Sequence, residues 1–132
     1  MLKRIDHVEI VPKDFERGLA FYTEVLGFKL DHRYPIDAGP YKEVAFLRLN
    51  DSALELLRVD DPPPRNEQPG QAGYRMMAWE VDDMEATLKE LAGKGIKASW
   101  GPRVRDEYSR AEITDPDGNA IELRQWFKKH GR

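Results

Sequence analysis

The stretch TDPDGNAIEL, residues 114–123, joins a turn to the start of a strand. Its Asp-Pro-Asp-Gly tetrad (115–118) is typical of a tight turn, and the alternation of apolar and polar residues that follows predicts a half-buried strand. The stretch NDSALEL, residues 50–56, has the same form. When it is superposed on DGNAIEL (117–123), Glu55 falls on Glu122 with matched alanine and leucine neighbours. The agreement indicates a duplicated segment.

A second pair of stretches precedes these. HVEIVPKDFE (7–16) superposes on MMAWEVDDME (76–85), which places Asp14 on Asp83. In the first of them, an alternating segment is followed by apolar residues at helical spacing, with the aspartate in position to cap the helix. The offsets of the two superpositions differ slightly, and a shorter connection in the second half explains the difference. The chain is therefore predicted to contain two copies of one module.

The predicted elements have the same order in both modules: a strand, a helix and three strands. In the first module they cover 3–11, 13–25, 28–36, 42–50 and 53–59. In the second they cover 75–82, 83–94, 97–104, 108–115 and 119–126. Gly27 is placed to end the first helix, and the proline-rich stretch 60–73 is predicted to be a linker. We expect one α+β domain over residues 1–132, with module 1 at about 3–59 and module 2 at about 74–127.

Composition excludes several classes of protein. The chain has 132 residues, enough for one domain with a core of its own. The net charge of −3 gives no basic surface for nucleic acid, and the lack of cysteine excludes thiol catalysis, thiolate metal sites and disulfides. No segment has the length of a membrane span or the apolar core of a signal peptide. We expect a cytoplasmic protein that binds neither nucleic acid nor membranes.

The last strand of each module has one purely apolar face, which a helix is expected to cover. The residues of that face flank the glutamate on both sides: Leu54, Leu56, Ile121 and Leu123. Glu55 and Glu122 therefore lie on the opposite face, and alternation in the first strand places His7 there too. A single His or Glu on a strand is ordinarily solvated and inert. Three such residues at repeat-equivalent positions instead favour a metal or polar ligand site.

If an approximate twofold axis relates the modules, their free faces line one cleft. Four equivalent positions then converge, occupied by His7, Glu55, Met76 and Glu122. Two carboxylates and an imidazole in one cleft repel each other or leave charge unpaired unless a cation joins them. Imidazole and carboxylate ligands suit zinc, nickel, iron, manganese or cobalt. We therefore expect one divalent metal ion.

Five stretches of the sequence resemble the vicinal oxygen chelate superfamily. They are DHVEIVPKD (6–14), FYTEVLGF (21–28), LELL (54–57), WEVDD (79–83) and TDPDGNAIEL (114–123). The superfamily includes glyoxalase I, methylmalonyl-CoA epimerase, extradiol dioxygenases, and fosfomycin- and bleomycin-resistance proteins. The resemblance covers nearly the whole chain. It implies two βαβββ modules in tandem that form a cupped mixed sheet.

The resemblance also implies which residues bind the metal. In metal-binding members the ligands come from the first and last strands of each module, positions held here by His7, Glu55, Met76 and Glu122. The set is similar to that of glyoxalase I, except that the position of Met76 is usually histidine. A thioether is a poor ligand for such an ion beside carboxylates. Either the site keeps three ligands, His7, Glu55 and Glu122, or the metal is lost and the cleft only binds a ligand.

Three functions follow from these alternatives. The first is a metal-dependent lyase or isomerase, lactoylglutathione lyase-like, acting on a small carbonyl or thioester-type metabolite. The metal would polarise an oxygen, and Glu55 or Glu122 would carry the proton. The second is a non-catalytic protein that sequesters an antibiotic or another ligand, which Met76 favours. The third is a metal-dependent dioxygenase, which the shortage of histidine disfavours.

Cations near the expected cleft are candidates for binding the substrate. Arg48 and Arg110, with Tyr108, are placed to hold a carboxylate or phosphate group of a small molecule. A solvated charge on an edge strand is the alternative for each arginine taken alone. By analogy with the superfamily, we expect a homodimer.

Overall fold

The computed structural model describes residues 1–128, so residues 129–132 of the expected domain lie outside the described part. The chain divides into two compact units, Met1–Pro69 and Gly70–Arg132. Each unit contains a four-stranded mixed sheet and one α-helix. The structure therefore confirms the predicted α+β class and the tandem βαβββ modules.

The first unit begins with β1 (Val8–Ile10) and α1 (Phe15–Ala20), and α1 continues into a π-helical turn over Phe21–Val25. Three longer strands follow: β2 (Lys29–Ala38), β3 (Tyr41–Leu49) and β4 (Ser52–Val59). Their order in the sheet is β1-β4-β3-β2. β1 runs parallel to β4, and the other neighbours are antiparallel.

The second unit repeats this plan. It consists of β5 (Met77–Glu80), α2 (Met84–Gly93), β6 (Trp100–Val104), β7 (Tyr108–Thr114) and β8 (Ala120–Trp126). The sheet order is β5-β8-β7-β6, with β5 parallel to β8. Between β4 and β5 the chain forms no helix or strand.

The strand register reproduces the two superpositions found in the sequence. Val8 pairs with Leu54 in the first unit, and Met77 pairs with Ile121 in the second. The first superposition places Val8 on Met77, and the second places Leu54 on Ile121. Residues superposed by sequence therefore occupy the same places in the two sheets.

Both helices begin as predicted, at an aspartate cap. Asp14 Oδ1 accepts the backbone N–H of Arg17 at 3.0 Å, and Asp83 Oδ1 accepts that of Ala86 at 2.9 Å. Each bond satisfies an amide at the helix start that has no partner within the helix.

The prediction of one α-helix over residues 13–25 was wrong in its second half. There the helix is π-helical, and the Leu26 N–H donates to the Phe21 carbonyl, five residues back, at 3.1 Å. The Thr23 hydroxyl donates to the Leu19 carbonyl at 2.8 Å, in competition with the backbone. Gly27 follows at a φ of +83°, a conformation that glycine adopts without strain.

The helix-facing sides of the sheets form the core. The four residues predicted to be apolar and helix-facing are buried: Leu54, Leu56, Ile121 and Leu123. Phe15 and Leu19 of α1 are buried in the first unit. Val8, which alternation places on the face opposite His7, keeps 38% of its surface exposed, because β1 is a three-residue strand at the sheet edge.

The predicted turn at 115–118 is closed by Asp115. The Gly118 N–H donates to the Asp115 carbonyl at 3.0 Å, and Asp115 Oδ1 accepts the N–H groups of Asp117 and Asn119. The turn sets the register with which β8 enters the sheet. Within residues 1–128, no helix is long and apolar enough to cross a membrane.

Candidate functional site

His7 and Glu55 meet on the side of the first sheet that faces away from α1. His7 immediately precedes β1, and Glu55 lies in the middle of β4, the neighbouring strand. His7 Nε2 is 3.0 Å from Glu55 Oε2. The Glu55 side chain is 18% exposed and the His7 side chain 27%. The structure thus brings together two of the three predicted metal ligands.

Asp6 fixes the other side of the imidazole. Asp6 Oδ2 lies 2.8 Å from His7 Nδ1. Metal-binding histidines characteristically donate the second ring N–H to a carboxylate in this way, which orients the ring and raises its basicity. The Asp6 hydrogen bond raises the pKa of His7, and the charges of Glu55 and Glu9 add to the effect. The same bond lowers the pKa of Asp6.

A second carboxylate, not among the predicted ligands, also faces His7. Glu9 Oε2 lies 3.9 Å from His7 Nε2. Donor atoms of His7, Glu9 and Glu55 all lie within 4.8 Å of one another. The sequence contained the signal, since alternation places Glu9 on the same face as His7. This donor set, one imidazole and two carboxylates, suits a divalent cation.

Aromatic rings flank the imidazole on the same face. The His7 and Phe46 rings are 5.3 Å apart with their planes inclined at 67°, and His32 stacks on Phe46 at 5.3 Å. The guanidinium of Arg48, a predicted substrate-binding residue, lies 5.2 Å from the Phe46 ring centre. Its Nε is 3.3 Å from Asp31 Oδ2. With its side chain half exposed, Arg48 is accessible from solvent.

In the second unit, two arginines hold Glu122. Glu122 Oε1 lies 2.9 Å from Arg110 Nη2, and Oε2 lies 2.7 Å from Arg124 Nε. Arg110 Nη2 also contacts Glu112 Oε2 at 3.1 Å. Glu122 is buried, and both of its oxygens are engaged by guanidinium groups. That Glu122 binds the metal stays a prediction.

The same arginines lie over aromatic rings. Arg110 is 4.7 Å from the Trp100 ring centre. Arg124 is 4.3 Å from the Tyr108 ring and 4.9 Å from the Trp126 ring. Arg110 and Tyr108 were predicted to bind substrate, whereas Arg124 was not. Alternation along β8 places Arg124 on the face of Glu122, so its position could have been found from the sequence.

The strand register identifies which residues the second unit has in place of His7 and Glu9. Met76 precedes β5 as His7 precedes β1, and Ala78 pairs with Glu122 as Glu9 pairs with Glu55. Arg75 Nη1 donates to the Met76 sulfur at 3.6 Å. A thioether and a methyl group replace an imidazole and a carboxylate, so these two positions of the second unit supply no donor for a hard or borderline ion.

Comparison with known families places the chain. Residues 4–123 match the family described as the Glyoxalase/Bleomycin resistance protein/Dioxygenase superfamily. The chain belongs to that superfamily. Its members usually bind a divalent metal ion. In this chain the donor atoms of His7, Glu9 and Glu55 form a group that fits such an ion.

Individual relatives cover most of the chain. An uncharacterized Bacillus subtilis protein, YwkD, is 36% identical over 93% of this chain and 97% of its own length. Human mitochondrial methylmalonyl-CoA epimerase is 31% identical over 74% of this chain and 57% of its own. The crystal structure of a glyoxalase family protein from Enterococcus faecalis superposes with a TM-score of 0.80 at 29% identity, covering 92% of this chain and 97% of that one.

Proposed function

We propose that this superfamily member is a divalent-metal-dependent lyase or isomerase that acts on a small carbonyl or thioester-type metabolite. The observation that carries the proposal is the His7–Glu55 pair. His7 Nε2 and Glu55 Oε2 lie 3.0 Å apart, and the other ring nitrogen of His7, Nδ1, is already hydrogen-bonded to Asp6. This is how a histidine is prepared to bind a metal through Nε2.

His7 and Glu55 would hold the ion. When bound, the ion would act as a Lewis acid that polarises a substrate oxygen and stabilises the negative charge developing there. The chain's own residues supply the rest. Asp6 orients the imidazole ring, and the Glu55 carboxylate is only 18% exposed, which limits its contact with water.

A carboxylate is needed to move a proton at the carbon next to the polarised oxygen. Glu55 meets this need from a partly buried position beside His7. The sequence offered Glu122 for the same role and as a third ligand, and both assignments stay predictions. Arg48 is our candidate for holding an anionic part of the substrate, because its side chain is half exposed on the face that carries His7. Tyr108 and Arg110 remain candidates in the second unit.

Two observations favour the alternative of a non-catalytic ligand-binding protein. Met76 stands where glyoxalase I usually has histidine, and Glu122 is engaged by Arg110 and Arg124. Such a protein would hold an antibiotic or metabolite without chemistry. A dioxygenase has less support, because the donor cluster contains one histidine.

Metal titration of the chelator-treated full chain tests the proposal. Nickel, zinc, cobalt, manganese and iron are added in turn, and binding is measured by calorimetry. The loaded protein is then given a glutathione hemithioacetal and a 2-methyl-branched acyl-CoA in deuterated water, and deuterium incorporation is followed by NMR. The expected result is one ion per chain and exchange at the carbon beside the carbonyl.

Two variants give the controls. His7→Ala should lose both the ion and the exchange, whereas His32→Ala should keep them, since His32 also pairs with an aspartate but has no second carboxylate partner among residues 1–128. Failure to bind any of the five metals would reject the proposal. Metal binding without exchange on any carbonyl would favour the ligand-binding alternative.

Assembly and location are separate proposals. We expect a homodimer in the cytoplasm, as is common in the superfamily. Light scattering on the eluting protein would show a mass of twice 15.3 kDa if the chain dimerises. A mass of one chain at micromolar concentration would contradict the expectation.

A further inference from the structure

We propose that Glu9 is a ligand of the divalent ion, so that the first unit supplies three donors, His7, Glu9 and Glu55. The inference rests on the proposed function and deepens it. The sequence had assigned the third donor to Glu122, in the other unit. The structure points to Glu9, which lies in β1, two positions beyond His7.

The backbone places the donors of Glu9 and Glu55 side by side. In the parallel ladder of β1 and β4, Glu9 is the register partner of Glu55. Both side chains project to the face away from α1, as does His7. The three donor atoms lie within 4.8 Å of one another. Zinc lies about 2.0–2.2 Å from its nitrogen and oxygen ligands, so a small movement of the exposed Glu9 side chain would let one ion contact all three.

Two carboxylates of this cluster share one imidazole. Like charges directly opposite each other on neighbouring strands are destabilising, and Glu9 and Glu55 are register partners. Among residues 1–128 the ion pairs of Glu9 and Glu55 both go to His7, at 3.9 and 3.0 Å. A divalent ion bound by Glu9, Glu55 and His7 would offset the repulsion between the two carboxylates.

Glu9 is also free to move onto an ion. Its side chain is 58% exposed, and its one ion-pair partner within residues 1–128 is His7, at 3.9 Å. Glu122 differs in both respects. It is buried, and each of its oxygens is engaged by a guanidinium group. Recruiting Glu122 would require at least one of those ion pairs to break.

The duplication supports the same conclusion. In the second unit the residues equivalent to His7 and Glu9 are Met76, just before β5, and Ala78, within it. The second unit therefore lacks both β1 donors together. This is the pattern expected if the two residues act as one functional unit, since either alone would be of little use there.

Cobalt binding to the full chain tests the inference. Co²⁺ is titrated into wild type, Glu9→Gln and a matched control, Glu67→Gln, with calorimetry for affinity and visible absorption for coordination. Glu67 is a carboxylate of the same unit that already has an ion-pair partner, Arg65, at 2.8 Å. Metal-induced change in melting temperature provides a readout that needs no enzyme activity.

The expected result is a loss of affinity of about tenfold or more in Glu9→Gln, because even an outer partner of a metal ligand is worth 10- to 100-fold. Glu67→Gln should stay within about twofold of wild type, since its exposed charge is screened. The absorption bands of cobalt-saturated Glu9→Gln should also change. Melting of the metal-free variant should match or exceed that of wild type, which shows that the chain still folds.

Other outcomes separate the inference from the proposed function. If wild type binds cobalt and Glu9→Gln binds it equally well, or weakly but with an unchanged spectrum, Glu9 is not a ligand and the inference is overturned, while the metal-dependent function stands. If wild type binds no metal at all, the proposed function fails and the inference fails with it.

Discussion

The free faces of the two sheets have the same backbone and different chemistry. In the first unit, Glu55 has Phe46 as its register partner on β3 and pairs with an imidazole. In the second, Glu122 has Glu112 as the corresponding partner on β7 and pairs with two guanidinium groups. Glu55 therefore pairs with an imidazole, a side chain that can itself bind a cation, whereas the charge of Glu122 is already neutralised by arginines.

The difference between the two glutamates comes from one pair of residues beside each of them. On the first sheet, Val44 and Leu57 are register partners beside Glu55. On the second sheet, the equivalent pair is Arg110 and Arg124. The duplicated fold thus fixes where a carboxylate projects, and the residues beside it decide whether an imidazole or guanidinium groups pair with it.

The largest effect on stability is expected when Arg110 of the second sheet is replaced by valine, the residue at the equivalent position, Val44, of the first sheet. Arg110→Val leaves Glu112 and the buried Glu122 with less compensating charge, and breaking a buried ion pair costs about 3 kcal/mol. Urea unfolding followed by tryptophan fluorescence measures it, because all three tryptophans, Trp79, Trp100 and Trp126, belong to the second unit.

The comparison in the first unit is Arg48→Leu, which removes an arginine from the face that carries Glu55. Because Arg48 is half exposed, loss of its ion pair with Asp31 should destabilise the chain much less than Arg110→Val. Circular dichroism follows the unfolding of this variant. Equal losses in the two variants would contradict the contrast between the faces.

A smaller effect is expected on the metal site itself. Asp6→Asn weakens the bond that orients His7, and loss of such an outer partner lowers metal affinity by about tenfold. Asp31→Asn is the control, because Asp31 makes the same bond to His32 at 3.1 Å. Calorimetry with Co²⁺ compares the two. A larger loss in Asp31→Asn would place the ion elsewhere on the sheet.

The next prediction concerns acid stability, which we expect to be a property of the first unit. Arg33 donates to Glu43 at 2.6 Å and lowers the pKa of that carboxyl below its ordinary value. A lowered pKa stabilises the fold above the ordinary pKa, and the gain is lost as the pH falls through the lowered one. Glu43→Gln should therefore cost about 1 kcal/mol at pH 7.

The loss of stability caused by Glu43→Gln should shrink as wild type and variant are acidified below the ordinary pKa of glutamate. Urea unfolding at pH 7 and at successively lower pH measures this loss. At the place of Glu43 the second unit has Ser109, paired with Gln125. Ser109→Ala should change stability by the same amount at every pH. A pH-independent cost of Glu43→Gln would contradict the prediction.

The smallest contrast is between the two helix caps, where the units should not differ. Asp14→Ala and Asp83→Ala each remove one bond to a backbone amide, at 3.0 and 2.9 Å. Each should cost about 1 kcal/mol. Thermal unfolding of both variants measures the costs side by side. A twofold difference between them would show that the short α1 and the longer α2 do not depend on their caps alike.

The sequence predicted the fold well because its information was periodic. Two superpositions defined the repeat, and the register of β1 with β4 and of β5 with β8 follows them residue by residue. Alternation also placed His7 and Glu55 on one face, where they lie 3.0 Å apart. Periodicity could not reveal the π-helical turn at Phe21–Val25, where the Thr23 hydroxyl also donates to the Leu19 carbonyl.

The site was harder to predict because partners are chosen across strands. Glu9 and Arg124 share faces with His7 and Glu122 in the sequence pattern, but alternation gives a face and not a distance. Which donor turns to which acceptor depends on the ladder neighbours, such as Phe46 beside His7 and Arg110 beside Glu122. Those neighbours are known only once the strands are paired.

The shortness of β1 has a kinetic consequence. The strand consists of Val8–Ile10 at the sheet edge, and among residues 1–128 its strand partner is β4. Short edge segments open locally more often than the whole domain unfolds. One such opening would carry His7 and Glu9 away from Glu55 together. For the proposed site, the opening rate of β1, measurable as amide hydrogen exchange at its residues, would therefore limit how long an ion stays bound, and a bound ion would slow that exchange.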